Sequence, residues 1–209
     1  MENSSNIPHA QPIFDPALAA LPDRVCLPFG CDVAPILPEV AALSSGAWTH
    51  HFVPDNYRGD WSVVPLRAPS GAVHPILQIT SPPGCNDWAE TEHLAACPAI
   101  RAALQSLSCE IGAVRLMRLG PASEIREHRD HDLAAEYGSA RLHLPLITGQ
   151  RVAFLVNKRA VVMQPGEWWY LRLSDPHSVV NRGTRDRIHL VVDVRMNDCL
   201  AALLRQAAI

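Results

Sequence analysis

Between residues 113 and 194 the sequence falls into short runs rich in β-branched and aromatic residues, and no helical periodicity interrupts them. The runs cover residues 113–119, 141–146, 152–156, 160–163, 167–171, 178–182 and 187–194, with a further one upstream at 61–67. Gly120-Pro121, Thr148-Gly149, Pro165-Gly166 and Arg182-Gly183 punctuate them as turns. An array of about eight short strands with no helix between them predicts a mainly β fold, a jelly roll or barrel, with helices packed outside. Those helices are expected at 35–46, at 98–107 (Ile100, Leu104 and Leu107 share a face), and at the end of the chain around Leu200, Leu203 and Leu204. An immunoglobulin-like sandwich fits less well, because it gives no reason for five of the ten histidines to fall between 128 and 189.

Residues 1 to 25 are polar and dotted with proline, and read as a loosely held lead-in to one domain spanning 26–209, with its β core at about 113–194. The formal charge of −3 gives no electrostatic reason to expect nucleic acid or an anionic membrane as partner. No run approaches the roughly 18 apolar residues of a membrane span, and the first residues have no basic-then-apolar leader pattern. The six cysteines form no CxxC pair, so reduced and mostly buried thiols are expected. Together these features predict a cytoplasmic location.

The sharpest chemical signal is Glu127-His128-Arg129-Asp130. Alternate residues of an extended chain share a face, so His128 and Asp130 can aim at one point while Arg129 turns away. A lone His-x-Asp is common by chance, and a third ligand must come from a distant strand. His177, in Asp175-Pro176-His177-Ser178, is the best candidate. A facial set of two histidines and one carboxylate leaves coordination positions open, the arrangement of non-haem iron(II) oxygenases.

Two strands keep this motif company. Arg141 and His143 share one face of Arg141-Leu142-His143-Leu144-Pro145-Leu146, and Arg187 and His189 share one face of Arg187-Ile188-His189-Leu190. An arginine in an apolar strand is expensive to bury unless its charge is met, and a bound dicarboxylate would meet it with a bidentate pair. For Arg187, a structural pair with Asp186 or Asp193 explains the pattern equally well. Arg118, on the strand leading into the His-x-Asp segment, is a further candidate for binding a substrate carboxylate; a surface salt bridge explains it as well.

Several of these stretches together resemble the aspartyl/asparaginyl β-hydroxylase family of 2-oxoglutarate oxygenases. They are Asn56 to Trp61, Leu119 to Ile125 ahead of His128-Arg129-Asp130, Arg141 to Leu146, Pro165 to Tyr170, Pro176 to Gly183 and Arg187 to Asp193, in matching order and spacing over about residues 48–195. The resemblance implies a double-stranded β-helix (jelly roll, cupin-like), iron(II) as cofactor, and 2-oxoglutarate and O2 as co-substrates. It also implies Arg187 as the anchor of 2-oxoglutarate, assisted by Arg141 and His143. Members acting on protein domains carry glycine at the position of Asp130, so the complete His-x-Asp looks more like the bacterial branch acting on free amino acids such as proline. The expected activity is hydroxylation of an unactivated C–H in an amino acid, an amino-acid-like metabolite or a peptide residue, with release of succinate and CO2. The alternative is a non-catalytic barrel that senses 2-oxoglutarate or another small acid.

Overall fold

Alternation of inward and outward side chains along short strands, thirteen among the described residues, builds the fold. The computed structural model describes residues 15–43, 45–82 and 84–208. The strands are β1 (Arg24–Gly30), β2 (Thr49–His50), β3 (Tyr57–Arg58), β4 (Trp61–Pro69), β5 (Trp88–Glu90), β6 (Ile111–Leu119), β7 (Ser123–His128), β8 (Ser139–Ile147), β9 (Val152–Val156), β10 (Arg159–Val161), β11 (Glu167–Leu171), β12 (His177–Asn181) and β13 (Arg187–Arg195). They form two sheets, ordered β1-β11-β8-β13-β6-β4-β2 (β5 pairs with β4) and β10-β9-β12-β7-β3. Strands β6 to β13 pass back and forth between the two, and the pairings between them are antiparallel. That is a double-stranded β-helix, the jelly roll expected from the sequence.

The large sheet is two-faced. On β13, Ile188, Leu190, Val192 and Val194 point outward and join Leu116 of β6 and Leu142 and Leu144 of β8 in the main core. Helices α2 (Ile36–Ala42), α5 (Pro98–Gln105) and α6 (Asp198–Ala207) cover that face with Ile36, Val40, Ile100, Leu104, Leu200 and Leu204. The inward face meets the small sheet across a second cluster built on Trp61, Leu119, Ile125, Phe154, Val156, Leu171 and Val179. Three shorter helices, α1 (Pro16–Ala19), α3 (Pro75–Gln78) and α4 (Glu92–Ala95), complete the described residues. No helix among them is long and apolar enough to cross a membrane.

Several sequence expectations shift. The helix expected at 35–46 closes at Ala42, where Leu43 turns extended. Residues 1–14 of the lead-in lie outside the described residues. Residues 15–25 fold onto the body, because Asp15 caps the first helix (Ala17 N–H to Oδ1, 2.9 Å) and Leu18 and Leu21 enter the core. Of the cysteines, expected to be mostly buried, Cys97 is buried, four are half-buried and Cys199 is exposed, and all are free thiols.

One turn ties the sheets together at the mouth of the barrel. Ser123 Oγ accepts from Asp60 N–H (2.8 Å), and Gly59, at φ +88°, leaves room for the Ser123 backbone. A Cβ at Gly59 would stand 2.9 Å from Ser123 Cα and would collide with its side chain. Gly59→Ala is therefore expected to lower stability by about 1–3 kcal/mol, read as a lower midpoint in chemical denaturation. An unchanged midpoint would show that the turn yields.

Candidate active site

Strand pairing sets two imidazoles side by side. His128, last residue of β7, is the register partner of His177, first residue of β12, and their ring centroids lie 4.3 Å apart. Each Nδ1 lies against a backbone carbonyl two residues back, Arg126 O at 2.8 Å and Asp175 O at 3.0 Å. A carbonyl only accepts, so each ring donates through Nδ1–H and turns Nε2 inward. Burial lowers the His177 pKa to about 4, which keeps that ring neutral. Asp130 lies two residues beyond β7, fixed by its N–H to Leu173 O (2.8 Å), and its Oδ1 lies 3.6 Å from His128 Nε2. One ligand atom from each of His128, Asp130 and His177 falls within 4.8 Å of the others, and no other such group occurs among the described residues. His131 and Asp132 line the same cavity but turn away; both are exposed, and Asp132 is left-handed at φ +61°.

The inward face of the large sheet supplies the opposite wall. Arg141 of β8 donates through Nη1 to Asp130 Oδ2 (2.6 Å) and through Nε and Nη2 to Asp193 of β13 (2.6 and 3.0 Å). Burial works against its charge, but Asp193 and Asp130 more than offset this and hold its pKa above the ordinary value. Asp193 also accepts from Arg115 Nη1 (3.1 Å) and from the Ser81 hydroxyl (2.9 Å).

Arg187, opening β13, is 3% exposed. Its Nη2 donates to His189 Nδ1 (2.8 Å), its Cζ stands 5.7 Å from the centre of the Phe154 ring, and its Nε has no partner. Asp193 is taken by the other two arginines, so neither acid weighed from the sequence meets Arg187, and burial alone pulls its pKa down to about 9. The turn before it is pinned by buried Asn181, whose Nδ2 donates to Leu119 O (3.0 Å) and Arg185 O (2.8 Å). Beside it His143 is buried with both ring nitrogens unpartnered. Burial, then Arg187, keeps His143 and His189 neutral. All of these groups except His189 and Asn181 line one open cavity of about 1150 Å³.

A sequence model of the aspartyl/asparaginyl β-hydroxylase family matches residues 33–197. This chain belongs to that family. The match covers most of the sequence and all of the cluster just described, and the β-hydroxylase family makes the protein an oxygenase of hydroxylase type. Solved structures with a similar backbone include an oxidoreductase of the 2OG-Fe(II) oxygenase family from Burkholderia pseudomallei (16% identity, 79% of this chain and 78% of that one, TM-score 0.48). A predicted oxalate decarboxylase from Thermotoga maritima is also similar (15% identity, 71% and 90%, TM-score 0.40).

Arg118 lies elsewhere. It points to the outer face of β6, where its Nε donates to Ser62 Oγ (2.9 Å), its Nη2 pairs with Asp60 (3.2 Å) and its guanidinium stacks over Trp48 at 4.5 Å. It is not among the residues lining the cavity, so the salt-bridge reading describes it. Trp168 is wholly buried in the main core, and Trp169 faces the second cluster with Nε1 on Glu167 (2.9 Å); neither lines the cavity. Sequence reasoning missed Arg115, Ser81 and His51. For the first, the structure gives what β6 alone does not: Arg187 pairs with Leu119 and His189 with Met117, so the odd-numbered residues of β6 face inward, Arg115 included.

Proposed function

We propose that this β-hydroxylase family member uses iron(II) and 2-oxoglutarate to hydroxylate an unactivated C–H of an amino acid, an amino-acid-like metabolite or a peptide residue, releasing succinate and CO2. The observation that carries the reading is Arg187: a buried guanidinium with no carboxylate partner, on the wall of the cavity that holds the His128/Asp130/His177 cluster. A buried charge without a counter-ion is costly, and the far carboxylate of 2-oxoglutarate would complete it.

The donor set fits the metal. Two imidazoles with inward Nε2 and one carboxylate match an iron(II) site that keeps positions open. When bound, iron(II) would supply dioxygen activation coupled to the oxidative loss of CO2 from 2-oxoglutarate. The chain's own residues do the rest. His128, Asp130 and His177 hold the metal. Arg141 occupies Asp130 Oδ2 and leaves Oδ1 facing His128, which fixes the carboxylate's orientation. Arg187 anchors the co-substrate, and neutral His143 offers a ring N–H to it. Phe154, Ile125, Leu173 and Val179 keep that end of the cavity dry.

The test is to load the protein with iron(II) without oxygen, add 2-oxoglutarate, and look for a weak visible absorption band. Oxygen is then admitted with a panel of amino acids and short peptides, and products are weighed. The expected result is the band, succinate, and one added oxygen atom on an acceptor. A band with no succinate under any acceptor would favour the sensor; no band from folded protein would defeat the reading.

A further inference from the structure

One loop seats two of the three candidate metal ligands. Residues 172–176 join β11 to β12, and four consecutive carbonyls of the loop are taken by groups of the site or beside it. Leu173 O accepts from Asp130 N–H (2.8 Å), Ser174 O from Arg129 Nη1 (2.8 Å), Asp175 O from His177 Nδ1 (3.0 Å) and Pro176 O from Asn157 N–H (2.8 Å). Two of these bonds end on the ligand residues themselves and a third on the residue between His128 and Asp130. A shift of the loop would move the His177 ring and the Asp130 backbone together, and partners behind the ligands are what orient them.

The clamp on this loop stands away from the cavity. Asn157 and Lys158 form the two-residue turn between β9 and β10, both left-handed (φ +50° and +61°), between the paired Val156 and Arg159. Asparagine takes such a position at little cost. Val156 is also the register partner of His177, so Asn157 stands one residue past the ligand's own pairing. Its Nδ2 donates to Asp175 Oδ2 (2.8 Å) and to Asp23 Oδ2 (2.9 Å). A carboxylate only accepts, so the two acids fix which end of the amide carries the hydrogens, and each takes one. Asp23 is itself anchored. Arg24 pairs with it through Nε and Nη2 (2.7 and 2.9 Å) and also donates to the carbonyls of Val156, Arg159 and Ala160. The backbone of Asp23 accepts from Arg172 N–H (2.8 Å) at the start of the loop.

The hairpin needs only a residue that tolerates a left-handed backbone, so it does not require the amide. Asn157 is exposed, does not line the cavity and belongs to neither hydrophobic cluster. Its side chain spends both donor hydrogens on the acids around the loop.

We propose that Asn157 is a positioning residue for the metal centre: it clamps the 172–176 loop at Asp175 and Pro176, and so holds the carbonyl that orients His177. The inference rests on the reading of His128, Asp130 and His177 as metal ligands. It concerns His177 and not His128, whose Nδ1 lies against Arg126 O within its own strand.

The test compares the wild type with Asn157→Gly, which keeps the turn and drops the amide, and Asn157→Asp, which keeps the turn and sets a third carboxylate beside two. Iron(II) affinity is measured without oxygen by competition with a coloured chelator. It should fall about three- to thirtyfold in Asn157→Gly and further in Asn157→Asp. In the metal-free proteins, proton–nitrogen spectra of the histidine rings should show the His177 signal shifted or broadened in both variants while that of His128 stays in place. A wild type that binds no iron(II) sinks the metal reading itself. With a wild type that does bind it, unchanged affinity in the variants, an unmoved His177 signal, or His177 and His128 signals that change together overturns the role of Asn157 alone.

Discussion

Arg187→Met is expected to abolish most 2-oxoglutarate binding while leaving the ligand-free protein at least as stable as the wild type. Truncating one side of a buried charge-assisted pair typically loses about 2–5 kcal/mol, a weakening of roughly 30- to 4000-fold in affinity. The stability half of the prediction follows from what Arg187 lacks. It has no carboxylate partner, its Nε is unpaired, and its one side-chain hydrogen bond goes to His189. Replacing an unmet buried charge by an apolar side chain of similar length should stabilise by up to about 2 kcal/mol, with the loss of the His189 bond taking part of that back. Calorimetric titration with 2-oxoglutarate and thermal melts of the two proteins measure both. A variant that binds normally, or one that melts well below the wild type, would show that Arg187 serves the fold.

The ligand set predicts the other large effect. His177→Ala and Asp130→Ala should each lose iron binding and substrate-linked succinate formation, whereas His131→Ala and Asp132→Ala should keep both. Residues 131 and 132 stand beside the ligands in sequence but turn out to solvent, the second through a left-handed backbone. Asp130→Ala should still fold, because Arg141 keeps its two-pronged pair with Asp193. Iron content and activity of the four variants, compared side by side, decide the matter. Loss of iron from the Asp132 variant with retention in the Asp130 variant would reassign the carboxylate.

Where the sequence was readable, periodicity made it so. β9 and β11 begin and end where their apolar runs do, and the parity of Arg141/His143 and Arg187/His189 put each pair on one face, which the structure turns inward. Where it was not, tertiary context had the last word. β7 carries no apolar run, since Glu124, Arg126 and Glu127 surround the single apolar Ile125, and pairing with β12 on one side and β3 on the other makes it a strand. β1 carries Pro28 in its middle, which is tolerated because it is the edge of its sheet. Choosing between Arg115 and Arg118 needed the register of β6 against β13. A strand's alternation says which residues share a face but not which face is inside. Arg118 and Arg115 sit on opposite sides for that reason alone.

The pairing of β7 with β12 is not uniform. His177 faces His128, yet Val179 faces Ile125, so the β7 side carries one residue more than the β12 side over this stretch. Such an extra residue bends its strand and re-aims the side chains next to it. Removing a single residue between Ile125 and His128 would restore an even ladder with His128 still opposite His177, on the face that Ile125 and Val179 share. What the deletion takes away is the bend, and with it the path by which the chain beyond His128 delivers Asp130. Within this fold, then, the two imidazoles answer to the ladder and the carboxylate to the bend.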